Sequence, residues 1–299
     1  MSASLPDRIG ANPIPTDQGR LVVACADRPG IVAAVSRFLF EQGANIVHSD
    51  QHSTDPLGGR FFLRIEFALL GLNARLPGIR AAFGSIAEEF GLDARWSVAS
   101  DRRRIAIMVS HEDHCLLELL WQRRSGELLA DVVAVIGNHA ELEPVAEAYG
   151  IPFHHVPVTL DSKPAAEDRQ RQILRDCQAD LVVLARYMQI LSPDFVGDWG
   201  GRTINIHHSF LPAFAGARPF WQAHERGVKL IGATAHYVTA ELDAGPIIEQ
   251  DVRRVDHRDR VDDLRRISRQ IERAVLARAV AWHVEDRILI DGDKTVVFA

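Results

Sequence analysis

At 299 residues, with 47% hydrophobic and 25% charged side chains, the chain has the length of two domains and the composition of an ordinary globular protein. A formal net charge of -6 argues against nucleic-acid binding, which favours a strongly basic face, and no apolar run approaches the roughly 18–20 residues of a membrane helix. Cys25, Cys115 and Cys177 are odd in number and far apart, which fits neither a disulfide framework nor a structural zinc site. With no charged-then-apolar leader in residues 1–15, the expected location is the cytoplasm.

In chain order, Leu21-Val22-Val23-Ala24-Cys25 is β-rich and is punctuated by Asp27-Arg28-Pro29-Gly30. Ile31, Val35, Phe38 and Leu39 then recur at helical spacing. Gly43-Ala44-Asn45 ends that helix, and residues 46–52 read as a strand. A turn at 55–59, a second hairpin strand over 60–69, a helix over 76–90 and a closing strand over 93–99 complete β-α-β-β-α-β. This is the ferredoxin-like order, expected over 18–100. Arg102-Arg103-Arg104 follows Asp101 and reads as a solvated linker, because like charges resist packing.

Asp27-Arg28-Pro29-Gly30-Ile31-Val32, followed by Gly43-Ala44-Asn45-Ile46, resembles the ACT domain, a small regulatory module that often binds amino acids. The resemblance makes Asp27, Gly30 and Asn45 candidate effector positions. Pro29 and Gly30 open the first helix, whose free N–H groups can receive a carboxylate. The same Pro-Gly also serves simply to start the helix, with the module providing oligomer contacts, and both readings stand at this point.

The second segment is expected over 104–299. Residues 105–109 form a compact apolar strand and 115–121 a helix; strands over 131–136, 153–158, 181–185 and 203–206 follow, with a helix over 141–149. A strand over 232–238 is then followed, after Asp243, by a β-hairpin and a long closing helix over 261–285. Strands alternating with helices predict a mostly parallel, Rossmann-like α/β sheet with its site outside the carboxyl ends of the strands.

That rule draws attention to Thr203-Ile204-Asn205-Ile206-His207-His208-Ser209-Phe210-Leu211-Pro212 and to Glu241-Leu242-Asp243-Ala244-Gly245-Pro246. On a strand, a spacing of two aims Asn205 and His207 at one point. An amide, an imidazole and a carboxylate can polarise a small carbonyl, hold charge on its oxygen and take a proton from an attacking group. Alone, an N-x-H pair is more often a hydrogen-bonded core histidine, and an Asp beside Gly-Pro a turn residue. Ser209, Leu211-Pro212 and Gly216-Ala217-Arg218-Pro219, read as a rigid turn into a helix, weigh against the plain core histidine. His207-His208, His236 and a total of 13 histidines raise the question of a metal, but no HExxH or spaced Cys/His set occurs and none is expected. The pairs His111/His114 and His154/His155 are expected on loops.

Three segments match one family in order: Leu184-Ala185-Arg186-Tyr187-Met188-Gln189-Ile190-Leu191-Ser192-Pro193, the block from Asn205 to Arg218, and Thr234-Ala235-His236-Tyr237-Val238 on to Ile248. Together they resemble the formyltransferases that use 10-formyltetrahydrofolate, over about residues 104–282. The resemblance implies that Asn205, His207 and Asp243 are the catalytic trio, and that Leu184, Arg186, Met188, Ile190, Leu191 and Val238 line a folate pocket. It implies no cofactor beyond the folate substrate.

Transferases that act on a phosphorylated amine carry a glycine-rich loop after the first strand, where N–H groups cradle the phosphate. The matching stretch here is Ser110-His111-Glu112-Asp113-His114-Cys115-Leu116, with no glycine and two acids. The chain therefore resembles the deformylase branch, the formyltetrahydrofolate deformylases, which join an ACT domain to this catalytic domain and use water as acceptor. The wording from Asn205 to Pro219, with His208 where transferases usually have Pro or Ala, agrees; Phe220, where tyrosine is expected, departs. The implied reaction has Asp243 orienting and deprotonating water, Asn205 and His207 stabilising the oxyanion, and N10 taking the proton, in balance with purine synthesis. Glycine and methionine are the implied effectors, and a homo-oligomer the implied assembly. Two other readings stay open: a formyltransferase with an unidentified amine acceptor, and a non-catalytic folate or amino-acid sensor.

Overall fold

The computed structural model describes residues 17–55, 57–211 and 219–299. The turn predicted at 212–219 therefore lies outside the described residues, save where the next helix begins. No helix among the described residues is long and apolar enough to cross a membrane. The chain divides into two compact units.

The first unit comprises β1 (Gln18–Ala26), α1 (Ile31–Glu41), β2 (Asn45–Ser53), β3 (Arg60–Ala68), α2 (Leu72–Phe90) and β4 (Asp93–Val98). The sheet order is β2-β3-β1-β4, antiparallel throughout, the ferredoxin-like arrangement. Alternation along β1 sends Leu21, Val23 and Cys25 into a core with Ile31, Val35, Phe38 and Leu39 of α1. Phe38 and Phe83 meet edge to face with ring centroids 5.1 Å apart.

The second unit begins with β5 (Arg103–Val109), α3 (His114–Ser125), β6 (Ala130–Gly137), α4 (Glu143–Ala148) and β7 (Phe153–His155). It continues through α5 (Lys163–Asp176), β8 (Leu181–Leu184), α6 (Pro193–Trp199), β9 (Thr203–His207), α7 (Pro219–Glu225), β10 (Leu230–Tyr237), β11 (Ile247–Arg254) and α8 (Val261–Val284). The order is β11-β10-β9-β8-β5-β6-β7. Strands β5 to β9 run parallel, and β10 and β11 are antiparallel additions at one edge. Residues 105–109 of β5 are fully buried, as a central strand covered on both faces demands.

Several expectations change, among them the linker reading of Arg102-Arg103-Arg104, since Arg103 and Arg104 open β5. Between Asp243 and α8 there is one strand, β11; the hairpin is β10–β11, and Asp243 sits in its connection rather than before it. The helix α8 does not close the chain, because β12 (Ile288–Asp291) and β13 (Lys294–Val297) form a further hairpin after it. Residues Glu285–Asp291 and Val296–Ala299 belong to the first unit, where Leu289, Val296 and Phe298 pack against Val22 and Phe62 on the sheet face opposite its helices. That second covering is why β1 reads as an unbroken apolar run instead of an alternation. Of the histidines expected on loops, His111 does lie on one, but His114 opens α3, and His154 and His155 lie in β7.

Candidate active site

Strand β9 carries Asn205 and His207 on one face, and β10 lies antiparallel beside it with His236 opposite Asn205 and Thr234 opposite His207. Cross-strand neighbours on one face stand close enough for their side chains to touch. Asn205 Nδ2 is 3.2 Å from His236 Nε2. His236 Nδ1 donates to the Tyr237 carbonyl at 2.9 Å, so in the neutral ring Nε2 is the acceptor for the amide.

The β10–β11 connection then brings in the carboxylate. Asp243 has φ +55°, the left-handed region that Asp tolerates better than most residues. Gly245 makes the approach possible, since a Cβ there would lie 1.8 Å from the Tyr237 carbonyl oxygen. The Tyr237 N–H donates to the Pro246 carbonyl at 2.9 Å and locks the return. As a result Asp243 Oδ2 lies 3.2 Å from His207 Nδ1 and Oδ1 lies 3.6 Å from His236 Nε2. The hydrogen bond from His207, and next the His236 ring beside Oδ1, outweigh burial and hold the Asp243 carboxyl well below the usual carboxylate range. With Nδ1 turned to Asp243, His207 Nε2 is left buried and without a hydrogen-bond partner among the described residues.

These groups face a cavity of about 260 Å³. Asn205, His207 and Asp243 line it, and so do Leu184, Arg186, Met188, Ile190, Leu191 and Val238, so all nine predicted positions meet in one place. Arg186 has φ +62° and begins the segment that wraps the cavity. Met188, Ile190 and Leu242 leave 59%, 60% and 62% of their surface exposed, an apolar rim around a polar floor. Tyr187, just before Met188, is buried; its hydroxyl accepts from Gln170 Nε2 at 2.8 Å, and burial pushes it up to about 12.

Among the lining residues that escaped the sequence reading as site members are two histidines, His208 and His236. Both figured there in the metal question and in the segments that resemble the family, and what ties His236 to Asn205 is its strand, whose register with β9 no local pattern reveals. Burial, followed by the charges of Arg186 and His207, pulls His208 down to about 4, so its ring is neutral.

The candidate effector positions do not converge. Asp27 and Gly30 share one end of the first unit's sheet: the Asp27 N–H donates to the Gly59 carbonyl at 2.8 Å, Ser53 Oγ donates to the Asp27 carboxylate, and Gly30 caps α1 with φ +98°. Asn45 pairs with Ala68 at the other end, whereas Ala26 pairs with Arg60. Eight steps of extended strand separate those ends, roughly 27 Å. The three residues cannot share one small ligand within a single chain.

Comparison with known proteins follows the same division. A formyl transferase family model matches residues 103–280 and an ACT domain model residues 19–72. The chain is 55% identical to the formyltetrahydrofolate deformylase of Bacillus subtilis (strain 168), covering 94% of each chain. It is similar to the crystal structure of a formyltetrahydrofolate deformylase from Pseudomonas syringae pv. tomato, with TM-score 0.90 and 49% identity over 94% of each chain. The Burkholderia mallei deformylase structure aligns with TM-score 0.89 and 44% identity, over 95% of this chain and 100% of that one.

Proposed function

The chain belongs to the formyltetrahydrofolate deformylase family, and on that premise we propose that Asn205, His207 and Asp243 carry its reaction. It is a hydrolase that converts 10-formyltetrahydrofolate to tetrahydrofolate and formate. The observation that carries the assignment of roles is the buried His207 Nε2, without a hydrogen-bond partner among the described residues, on the strand face it shares with Asn205, with the Asp243 carboxylate at Nδ1 of the same ring.

In this reading the apolar rim of Met188, Ile190 and Leu242 receives the flat pterin, and the formyl oxygen points at Asn205 Nδ2 and at the Nε2–H of a protonated His207 whose Nδ1–H faces Asp243. Asp243, ionised at every working pH, accepts a hydrogen bond from water and aims it at the formyl carbon. It takes the proton as the C–O bond forms and the attacking oxygen becomes acidic. Donors already aimed at the developing oxyanion need no reorganisation in the transition state. The C–N10 bond then breaks, N10 gains a proton, and formate leaves. No metal and no cofactor enter these steps.

The proposal includes a cytoplasmic, homo-oligomeric enzyme that balances one-carbon folate against purine synthesis. Largely exposed β2 at the edge of the first sheet, with Val47 51% exposed, supports pairing between copies. An ACT unit supports control by a small effector, glycine and methionine being the ones to try. An unchanged rate on adding either amino acid would leave the unit structural.

The test is to mix purified protein with 10-formyltetrahydrofolate alone and follow tetrahydrofolate and formate. Stoichiometric release, abolished in Asp243→Asn, is expected. Substrate binding without release would sink the assignment and favour a transferase awaiting an amine or a sensor.

A further inference from the structure

In a doubly wound sheet the ordinary place for a ligand is the crevice where the strand order reverses. Here that point lies between β5 and β8, which pair with each other while β6 and β7 run on to one side and β9 to the other. The crevice is filled by the chain's own side chains. Ser110 Oγ, just after β5, donates to Asn138 Oδ1 at 2.7 Å and accepts the Met188 N–H at 2.9 Å. His114, at the start of α3, sets Nε2 2.9 Å from Glu272 Oε2 of α8. Ser268 Oγ donates to Glu272 Oε1 at 2.6 Å, and Arg186 Nε lies 3.4 Å from Oε2.

This cluster is buried: His114, Ser268 and Glu272 are 8%, 1% and 2% exposed. Burial alone would raise the Glu272 pKa, but the His114 hydrogen bond and the Arg186 charge hold it at about 2. A desolvated carboxylate is a poor means of joining elements that already share an apolar core, and Cys115, Leu116, Leu119, Val275 and Leu276 are fully buried around it. What the cluster does achieve is to back Arg186, a residue of the cavity wall, with an ion network, although Arg186 Nε and Nη1 have no hydrogen-bond partner among the described residues. Just outside it, Glu112 and Asp113 stand at the N-terminus of α3, Glu112 Oε2 being 3.6 Å from His114 Nδ1 and 3.2 Å from Arg269 Nε. Two acids there oppose any anionic co-substrate that a helix N-terminus would otherwise attract.

We propose that His114, Glu272 and Arg186 determine acceptor specificity, closing the switch-point crevice to an amine co-substrate so that water receives the formyl group. The proposal rests on the hydrolytic reading above. Transfer to an amine would break the same C–N10 bond, form a C–N bond in place of C–O, and return the amine proton to N10. Only access decides between the two.

The experiment supplies the full-length enzyme with 10-formyltetrahydrofolate and glycinamide as the probe amine, and counts formate against N-formylglycinamide. Wild type is expected to yield formate alone at every amine concentration. His114→Gly, which empties the centre of the cluster, and Glu272→Gln, which releases Arg186, are expected to raise the formylated fraction by roughly tenfold or more, the scale on which pocket contacts discriminate. Wild type that formylates glycinamide as fast as it releases formate overturns the proposal, whatever the variants do. So does a folded His114→Gly that binds folate, hydrolyses and still yields only formate, since a merely structural cluster would behave so. Absence of formate from wild type without amine would instead sink the hydrolytic reading.

Discussion

Asn205 and His236 stand opposite each other across the β9–β10 pair, with the amide nitrogen 3.2 Å from the imidazole Nε2. One amide hydrogen is thereby committed to the ring, which orients the group and leaves the other hydrogen for the substrate oxygen. His236→Ala is expected to cut kcat by roughly 10²-fold with little change in KM, approaching the loss of an oxyanion donor in Asn205→Ala. Because the two act through one contact, the double variant should lose much less than the product of the single losses. Fully additive losses in steady-state kinetics would mean that His236 does not act through Asn205.

Asp243 reaches His207 only because Gly245 lets the loop lie against the Tyr237 carbonyl. Asp243→Asn should keep fold and folate binding and lower turnover by about 10²–10⁴. Gly245→Ala puts a methyl group into space already held by backbone, and should lose turnover on the same scale without changing Asp243 at all. A Gly245→Ala enzyme with normal kcat would show that the loop position is not required.

His208 supplies a pH signature. The folded ring takes a proton only near pH 4, against 6.5 for an ordinary histidine, because burial and then the Arg186 and His207 charges outweigh Glu272 and Asp243. Between those values the unfolded chain binds the extra proton, so stability falls as pH drops through the window, by roughly 1.4 kcal/mol per pH unit from this group. His208→Gln removes the dependence. Denaturant unfolding at pH 4.5 and 6.5 should show a smaller acid loss in the variant than in wild type; equal losses would contradict the buried neutral ring.

Arg64 is only 1% exposed and holds the end of the chain to the first sheet, donating to the Glu285 carbonyl at 2.9 Å and the Asp286 carbonyl at 3.1 Å while pairing with Glu66. Arg64→Ala strands three acceptors and should cost about 3–5 kcal/mol, as loss of one partner from a buried pair does. Thermal and urea unfolding would read it, and a loss below about 1 kcal/mol would mean that the apolar contacts of Leu289 and Phe298 suffice.

Much of this molecule was legible because its signals are local. The α1 core face follows from residues at helical spacing, and the shared aim of Asn205 and His207 from the two-residue period of a strand. Asp-Ala-Gly-Pro marks a turn from its own backbone preferences, and the turn is where Asp243 is found. The cavity-lining segment 184–191, marked in the sequence by its likeness to a family, keeps together because it is continuous.

What the chain wrote for itself, then, is the order of elements in the first unit and the alternation of strands and helices in the second, since hydrophobic period and turn chemistry act over a few residues, while the trio was marked by likeness to a family. Only the tertiary structure decided which distant groups meet. Strand register set His236 against Asn205, and the packing of α8 carried Glu272 to His114 and Arg186. Sheet length parted Asn45 from Asp27 and Gly30, although α1 alone lies between them in sequence. Such meetings depend on long-range pairing and on which faces must be buried, and those are properties of the whole sheet rather than of any segment within it.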